Sequence, residues 1–302
     1  MIADRILNII GLEMPHAHRL AFMPYKAEMW DSLESTYREA VRRGYECRII
    51  PMDYRLKTDN TKRNDFEKPK ALEYWRPDAI FIHNPYDDNN KVTEVSPEFF
   101  TENLKEIAPI IYIPYFGNDC GDHFINQPGV KNAHLVFCDS EENRELYLKY
   151  FPEKKVYAVG NPKIDTLRFY EEVGKKYRPL INYVFPHHDI TLFATGLMPF
   201  MRDPLGKLEQ YQDAVKYEIE KHRCVLFRPH PLMEPTIEAL LTPGMLREWR
   251  DFDGWMLWQD DVFHDKAILP EISMSIADKL ITDHGSLEDL WRYTGKEMEV
   301  LE

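Results

Sequence analysis

The feature that most constrains the fold of this chain is a repeated alternation of short apolar runs with helical segments. Runs such as Leu20-Ala21-Phe22-Met23 and Ile110-Ile111-Tyr112-Ile113 have strand character, while residues 27–43 carry apolar side chains at helical spacing up to Gly44. Strands that alternate with helices favour parallel sheets covered by helices on both faces. The pattern therefore predicts an α/β protein built from Rossmann-like, doubly wound domains.

A second alternation of the same kind begins at Ile190. Between the two lies the segment 170–186, in which charges, a glycine and prolines suggest a crossing between domains. We therefore expect an N-terminal domain over residues 1–168 and a C-terminal domain over 169–302, facing a cleft. The predicted strands of the second domain are 190–194, 223–227, 255–258 and 279–282, with a last strand beginning at 298; its predicted helices are 204–221, a broken helix over 235–249, 266–275 and 286–293.

Composition excludes several classes of protein. The net charge of −13 repels phosphate backbones, so nucleic-acid binding is not expected. The cysteines form no Cys-x-x-Cys pair, which disfavours a zinc ribbon or a disulfide framework and suits a reducing compartment. The apolar run within residues 1–12 is too short for a signal peptide, and none is long enough to span a bilayer. We expect a cytoplasmic protein.

The polar stretch Arg228-Pro229-His230-Pro231 follows the strand-like run Cys224 to Phe227. The prolines stiffen the loop, so a cation and an imidazole are held at the carboxyl end of a strand. Ligands of open α/β sheets bind at that edge. The alternative is a solvated arginine beside a packed turn histidine.

Two further strand ends of the second domain carry residues suited to phosphate. Thr195 and Gly196 follow one strand, and Asp283, Gly285 and Ser286 lie between another strand and a helix. A helix N-terminus with a glycine and a serine offers backbone N–H groups to an anion. Helix capping alone is the alternative, but the convergence of three strand ends, with Arg228 and His230, predicts a pyrophosphate site.

The first domain offers a less defined set of candidates. Lys26 follows a strand and is placed to attract an anionic substrate, and the segment leads into Trp30, although tryptophan at helical spacing is more often a core residue. His123, with Asp119 or Asp122 to orient it, is a candidate general base in a glycine-containing loop. The alternative for His123 is an ordinary surface histidine. Neither His187-His188-Asp189 nor Asp87-Asp88 has partners at metal-ligand spacing, so no metal is expected.

Several segments, in order along nearly the whole chain, resemble a branch of the CDP-glycerol glycerophosphotransferase family. The matching segments are MPYKAEMWDSLES (23–35), FIHNPYD (81–87), YIPYF (112–116), GNPK (160–163) with Asp165, RPHPL (228–232) with 236–237, DHGSL (283–287) and TGK (294–296). The first and the fifth are the most specific.

The resemblance implies a GT-B-like fold with the nucleotide donor on the C-terminal domain and no metal or other cofactor. It implies an enzyme that transfers glycerol phosphate from CDP-glycerol, or a related CDP-alditol, to an acceptor hydroxyl in teichoic acid or capsule-type polymers. Arg228, His230, Asp283 and Ser286 would handle the donor pyrophosphate. On the acceptor side the matching positions are Lys26, Trp30, Asp31, Asn161 and Lys163, with a polyol-phosphate or glycan acceptor and peripheral membrane contact as expected partners.

The sequence departs from that family in several places. Better-known members carry a His-Gly pair, the presumed base, where this chain has Tyr115-Phe116-Gly117, so the base is expected to be His123 or to be absent. The serine pair often seen after the aspartate is here Gly285-Ser286. The chain also stops soon after Lys296, where relatives continue, so an abbreviated C-terminal domain is expected. The alternatives are a GT-B nucleotide-sugar glycosyltransferase and a non-catalytic nucleotide-binding relative.

Overall fold

The computed structural model describes residues 1–25, 27–52, 69–88, 95–115, 122–184, 189–267 and 269–302, with the backbone alone at residues 28, 69–71, 122, 123, 184 and 286. The chain divides into two compact units, Met1–Thr166 and Leu167–Glu302. Each unit contains one parallel sheet, of six strands in the first unit and five in the second. The α/β class and the parallel sheets are as the alternating pattern predicted.

The first unit has the strand order β2-β1-β3-β4-β5-β6. The chain therefore reverses direction across the sheet between β1 and β3, which makes their carboxyl ends the topological switch point. The elements are α1 (Ile2–Glu13), β1 (Arg19–Met23), α2 (Asp31–Arg42), β2 (Glu46–Ile49), α3 (Pro69–Trp75), β3 (Ala79–Ile82), α4 (Thr101–Leu104), β4 (Ile110–Tyr112), α5 (Asp122–Ile125), α6 (Pro128–Asn132), β5 (Leu135–Cys138), α7 (Glu141–Tyr150) and β6 (Lys155–Ala158), with 3₁₀ turns at Ala27–Met29 and Pro97–Phe99.

Helix α1 is an element that the sequence pattern did not predict. Its buried side chains are Ala3, Ile6, Leu7 and Ile10, which fall on one face of a helix and join the core on one side of the sheet. The backbone N–H of Ala3 donates to the Asp165 carboxylate at 2.9 Å, so the first turn is capped from far along the chain. The apolar run near the start of the chain is therefore a packed helix.

The second unit has the strand order β11-β10-β7-β8-β9, so its switch point lies between β7 and β10. The last strand, predicted to begin at 298, is present and pairs in parallel with β10. The elements are α8 (Lys163–Val184), which begins in the first unit, β7 (Ile190–Ala194), α9 (Leu197–Arg202), α10 (Pro204–Glu220), β8 (Cys224–Arg228), α11 (Met233–Leu240), α12 (Pro243–Leu257), β9 (Val262–His264), α13 (Pro270–Ile276), β10 (Lys279–Asp283), α14 (Ser286–Arg292) and β11 (Glu297–Leu301).

The segment predicted as an irregular crossing is helical as far as Val184. Helix α8 continues through Gly174 and through Pro179, which lacks the N–H that a helix interior uses. Contacts within the second unit stabilise it: a Cβ at Gly174 would lie 2.5 Å from Ser275 Oγ, and Arg178 pairs with Asp278 at 2.7 Å. The glycine is therefore a site of close packing, and tertiary contacts outweigh the low helix propensity.

The predicted strand at 255–258 is wrong. These residues belong to the end of α12 and the turn after it, and the strand lies later, at β9. Trp249, Phe252 and Met256 are buried at spacings of three and four residues, which is the period of a helix. The apolar run at 255–258 was short enough to be mistaken for a strand because it is the last part of this helical stripe.

Two further sequence predictions bear on the core and on membranes. Cys138 and Cys224 are buried and Cys47 is partly buried, none of these three in a disulfide, while Cys120 lies outside the described residues. Burial raises the pKa of the Cys224 thiol to about 11. Among the helices that the structure describes, none is both long enough and apolar enough to cross a membrane.

Candidate functional site

At the switch point of the second unit, the ends of β7 and β10 are joined by a hydrogen bond. The backbone N–H of Gly196 donates to Asp283 Oδ2 at 2.8 Å. A Cβ at Gly196 would lie 2.7 Å from the Cβ of Asp283, so only glycine allows this approach. The two predicted donor-binding positions are therefore neighbours, and the Gly196 N–H is already used by a protein acceptor.

The Asp283 carboxylate is almost completely buried, with 1% of its surface exposed. Lys207 Nζ lies 2.9 Å from its Oδ1, and the hydroxyl of Tyr211 donates to its Oδ2. Burial and the adjacent Asp283 raise the pKa of Tyr211, which keeps that phenol protonated as a donor. Both partners come from helix α10, on the face where Leu208, Tyr211 and Val215 are buried. Sequence reasoning missed them; a lysine on an otherwise apolar helix face was the available signal.

The ends of β7 and β8 are joined through Thr195 and His230. The backbone N–H of His230 donates to Thr195 Oγ1 at 3.3 Å, and the backbone N–H of Leu232 donates to His230 Nδ1 at 3.1 Å. Because Nδ1 accepts, the proton of the neutral ring is on Nε2. His230 is partly exposed at this strand end.

Arg228 joins the ends of β8 and β9. Its guanidinium Nη1 lies 2.8 Å from Asp265 Oδ2 and donates to the carbonyl of Ala267 at 2.8 Å, and Asp265 Oδ1 accepts from the Ala267 N–H at 2.9 Å. The ion pair is largely buried, with 10% and 5% of the two side chains exposed. The charge of Arg228 is thus balanced within the protein, and its contact with a donor stays a prediction.

The segment that follows β10 is more open. Gly285 is exposed, and a Cβ built on it would have no atom within 4 Å. The exposed ring of His284 makes a contact of 2.9 Å between Nδ1 and Glu288 Oε2. Ser286 begins helix α14, but its side chain lies outside what the structure describes. Gly285 and Ser286 therefore stay predicted donor-binding residues on an accessible segment.

In the first unit, the switch point between β1 and β3 is occupied by a histidine that the sequence motifs did not single out for a role. His83 is completely buried. Its Nε2 accepts the backbone N–H of Tyr25 at 2.6 Å, and its Nδ1 lies 2.7 Å from Ser32 Oγ, whose hydroxyl donates to the carbonyl of Met29 at 3.1 Å. This pattern fits one neutral ring with its proton on Nδ1.

Burial, with the charge of Lys163 as a second cause, lowers the pKa of His83 to about 3. Both ring nitrogens also have protein partners, so His83 is poorly suited to act as a base. What it does is hold the loop after β1 against the end of β3. A histidine directly after an apolar strand was the sequence signal for this role.

Three of the predicted acceptor-side residues meet at this edge of the sheet. Lys163 Nζ lies 2.7 Å from the buried carboxylate of Asp31, and Asn161 Oδ1 accepts the backbone N–H of Lys163 at 3.0 Å. Trp30 packs edge-on against Phe22 and is a partly buried core residue, which is the alternative that its helical spacing favoured. Asp31, Asn161 and Lys163 thus lie together, and Lys163 is paired rather than open to solvent.

Two tyrosines follow the ends of β3 and β4, and one of them, Tyr115, contacts His83. The side chains of Tyr86 and Tyr115 are hydrogen-bonded to each other, and the Tyr115 ring lies edge-on to His83 with centroids 6.1 Å apart. Burial raises the pKa of both tyrosines, so neither supplies a base at neutral pH. Lys26 and the side chain of His123 lie outside the described residues, and their predicted roles stay predictions.

A small cavity lies nearby, at the carboxyl ends of β4, β5 and β6. Its volume is about 20 Å³, which is room for about one water molecule. Asp139, Asn143 and Asn161 contribute its polar lining. In the part of the chain that the structure describes, no group of three or more His, Cys, Asp or Glu residues is placed to hold a metal ion.

Comparison with known proteins places the chain by its fold. No family model and no curated protein matches it. The UDP-GlcNAc 2-epimerase of Methanocaldococcus jannaschii, in complex with UDP-GlcNAc and UDP, is similar with a TM-score of 0.62 at 14% identity, over 94% of this chain and 83% of that one. The Neisseria meningitidis epimerase bound to UDP-GlcNAc gives 0.59 at 15% identity, over 94% and 82%.

A third neighbour is the wall teichoic acid polymerase TagF, in a variant soaked with CDPG. It gives a TM-score of 0.54 at 14% identity, over 93% of this chain and 68% of that one. The chain has a GT-B-like two-domain fold. That conclusion agrees with the fold implied by the sequence motifs, while the likeness at such low identity leaves the reaction open.

Proposed function

We propose that this protein is an enzyme that binds a nucleotide-activated donor at the carboxyl edge of the second sheet. The observation that carries the proposal is the series of links between neighbouring strand ends there: Asp283 to Gly196, Thr195 to His230, and Arg228 to Asp265. They fix four strand ends around the switch point, where nucleotides bind in open α/β sheets. A site fixed before the ligand arrives binds it at lower entropic cost.

The donors at this edge suit a diphosphate. We expect the imidazole of His230 and the hydroxyl of Thr195 to donate hydrogen bonds to it, while the guanidinium of Arg228, paired with Asp265, holds the neighbouring strand end. In the reaction that we propose, the acceptor oxygen attacks the phosphorus of the glycerol phosphate, the bond from that phosphorus to the bridging oxygen breaks, and CMP leaves with the electron pair. His123 would take the acceptor proton, and His230 would stabilise the charge that develops on CMP.

CDP-glycerol, or a related CDP-alditol, is the donor that the sequence motifs favour, since RPHPL and DHGSL provide the residues at this edge. TagF, a polymerase of wall teichoic acid, is among the structural neighbours and supports the same choice. We propose a cytoplasmic transferase that passes glycerol phosphate to a hydroxyl of a polyol-phosphate or glycan acceptor during synthesis of a cell-surface polymer.

The second candidate is an enzyme that acts on a nucleotide sugar. The observation that favours it is that the UDP-GlcNAc 2-epimerases give higher TM-scores than TagF does. This candidate uses the same edge of the second sheet and differs in the ligand. It therefore predicts that UDP-GlcNAc stabilises the protein more than CDP-glycerol does.

A thermal-shift panel of CDP-glycerol, CDP-ribitol, CMP and UDP-GlcNAc tests the proposal. A ligand at a hundred times its Kd adds about 2.7 kcal/mol, which corresponds to a rise in Tm of about 5 °C for a chain of this size. We expect that rise with CDP-glycerol, its loss in His230→Ala, and release of CMP when a polyol-phosphate acceptor is added.

The matched control is His222→Asn. His222 is exposed at the opposite edge of the same sheet, just before β8, in a left-handed conformation that asparagine tolerates. This variant should keep the full shift. If no cytidine nucleotide raises Tm, the CDP-alditol proposal is wrong, and binding without CMP release would indicate the non-catalytic alternative.

A further inference from the structure

Helix α10 carries a lysine whose charge is buried beside the candidate site. Lys207 is only 8% exposed. Its Nζ lies 2.9 Å from Asp283 Oδ1, which makes an ion pair, and donates hydrogen bonds to Gln210 Oε1 at 2.8 Å and to the carbonyl of Leu301 at 3.1 Å. Few lysines are buried to this degree, and those that are need such partners.

The position of this pair matters more than its contribution to folding. Asp283 ends β10 at the switch point and holds the Gly196 N–H, so its carboxylate lies next to the place proposed for the donor diphosphate. An unbalanced carboxylate there would repel an anion, because electrostatic effects are strong where water is excluded. The Lys207 ammonium removes that repulsion and leaves the hydrogen bond to Gly196 intact.

We propose that Lys207 is a positioning residue of the nucleotide site. It acts through Asp283 by balancing the carboxylate that fixes the turn after β7, so that a diphosphate can bind beside it. The inference rests on the proposed function and deepens it. Lys207, which lies outside every sequence motif, would make the acidic end of β10 compatible with an anionic ligand.

The test is the affinity for CDP-glycerol as a function of pH in Lys207→Met. Methionine fills the space of the lysine and carries no charge. At neutral pH we expect Kd to rise at least tenfold, because Asp283 then faces the diphosphate unbalanced. As the pH is lowered, Asp283 without its cation takes up a proton, so the affinity of this variant should recover, whereas the wild type should bind with little dependence on pH.

The groups around Asp283 make its protonation the expected source of this pH dependence. Tyr211 from α10 contacts it and stays protonated, and the neighbouring His284 on the same segment is directed to Glu288 instead. The rescue variant is Lys207→Met combined with Asp283→Asn, which places two neutral side chains together. It should restore the affinity to within about threefold of wild type and remove the pH dependence.

Two further variants separate charge from packing. Lys207→Gln keeps a polar side chain and carries no charge, so it should show the same loss and recovery as Lys207→Met. Lys216→Met removes an exposed lysine from the same helix, where it pairs with Asp213, and should bind like the wild type at every pH.

The outcomes distinguish this inference from the function on which it rests. If the wild type binds no cytidine or uridine nucleotide, the proposed function is wrong. If the wild type binds CDP-glycerol and the two neutral Lys207 variants bind it equally well at neutral pH, the positioning role is wrong. If both single variants fail to fold, the double variant decides: wild-type affinity supports the role, and a folded double variant that does not bind overturns it.

Discussion

Replacing His83 with glutamine tests how the first unit keeps an imidazole neutral in its core. Glutamine can accept the Tyr25 N–H as His83 Nε2 does, but it loses the bond to Ser32. One lost hydrogen bond costs about 1 kcal/mol, and imperfect packing adds about as much. At neutral pH the variant should therefore be about 2 kcal/mol less stable than the wild type.

The difference should shrink as the medium becomes more acidic. The pKa of His83 falls from 6.5 in the unfolded chain to about 3 in the folded one. Between these values the unfolded chain binds a proton that the native state excludes, so stability is full above the unfolded pKa and is lost as pH falls through this window. By the linkage relation, the wild type loses about 2 kcal/mol of its free energy of unfolding through His83 between about pH 7 and pH 5. The variant has no imidazole at this position and does not lose this contribution.

Urea unfolding followed by far-UV circular dichroism at the two pH values measures the difference directly. Groups other than His83 titrate in both proteins and cancel when the two free energies are subtracted. The exposed His222, replaced by asparagine, controls for loss of an imidazole and should keep the wild-type pH dependence. A stability difference between wild type and His83→Gln that stays constant with pH would refute the reasoning.

Two further predictions concern stability. Gly174→Ala should destabilise the protein by about 1–3 kcal/mol, because its Cβ would lie 2.5–2.9 Å from atoms of Ser275, including the backbone oxygen. Gly254→Ala, at an open position inside α12, should instead stabilise the protein by about 0.5–1 kcal/mol. Equal changes in the free energy of urea unfolding for the two variants would contradict the packing argument. Ser140→Ala should cost about 1 kcal/mol by the same measurement, because its hydroxyl caps α7 by accepting the Asn143 N–H at 3.2 Å, whereas Ser140→Asp should keep most of the cap.

The sheets were the part of the fold most open to prediction. β7 begins and ends where the apolar run 190–194 does, and β10 extends the predicted strand by one residue, because strands buried on both faces are continuous apolar runs. Helix α8 was not predictable in the same way, because it depends on tertiary contacts, such as Gly174 against Ser275, that no local pattern contains. The end of α12 was missed because the run 255–258 is only the last part of a helical pattern.

The candidate site was predictable in position but not in its chemistry. Strand ends alone brought Thr195, Gly196, Asp283 and His230 to one edge of the sheet, as the convergence argument expected. The structure adds the hydrogen-bond and ion-pair partners of these side chains. Some of these partners, such as Lys207, lie on other elements and outside the sequence motifs.

The charges at both switch points follow one principle, which the sequence alone did not indicate. In the first unit Asp31 is paired with Lys163, and in the second Asp283 is paired with Lys207. A buried charge without a partner is costly, so each pair keeps a carboxylate inside a packed sheet edge without a net charge. A charged residue at such an edge can therefore stabilise the protein without contacting a ligand. In the second unit this shifts the expected phosphate contacts from Arg228 and Asp283 toward the neutral donors of His230 and Thr195, which the proposed ligand panel tests through His230→Ala.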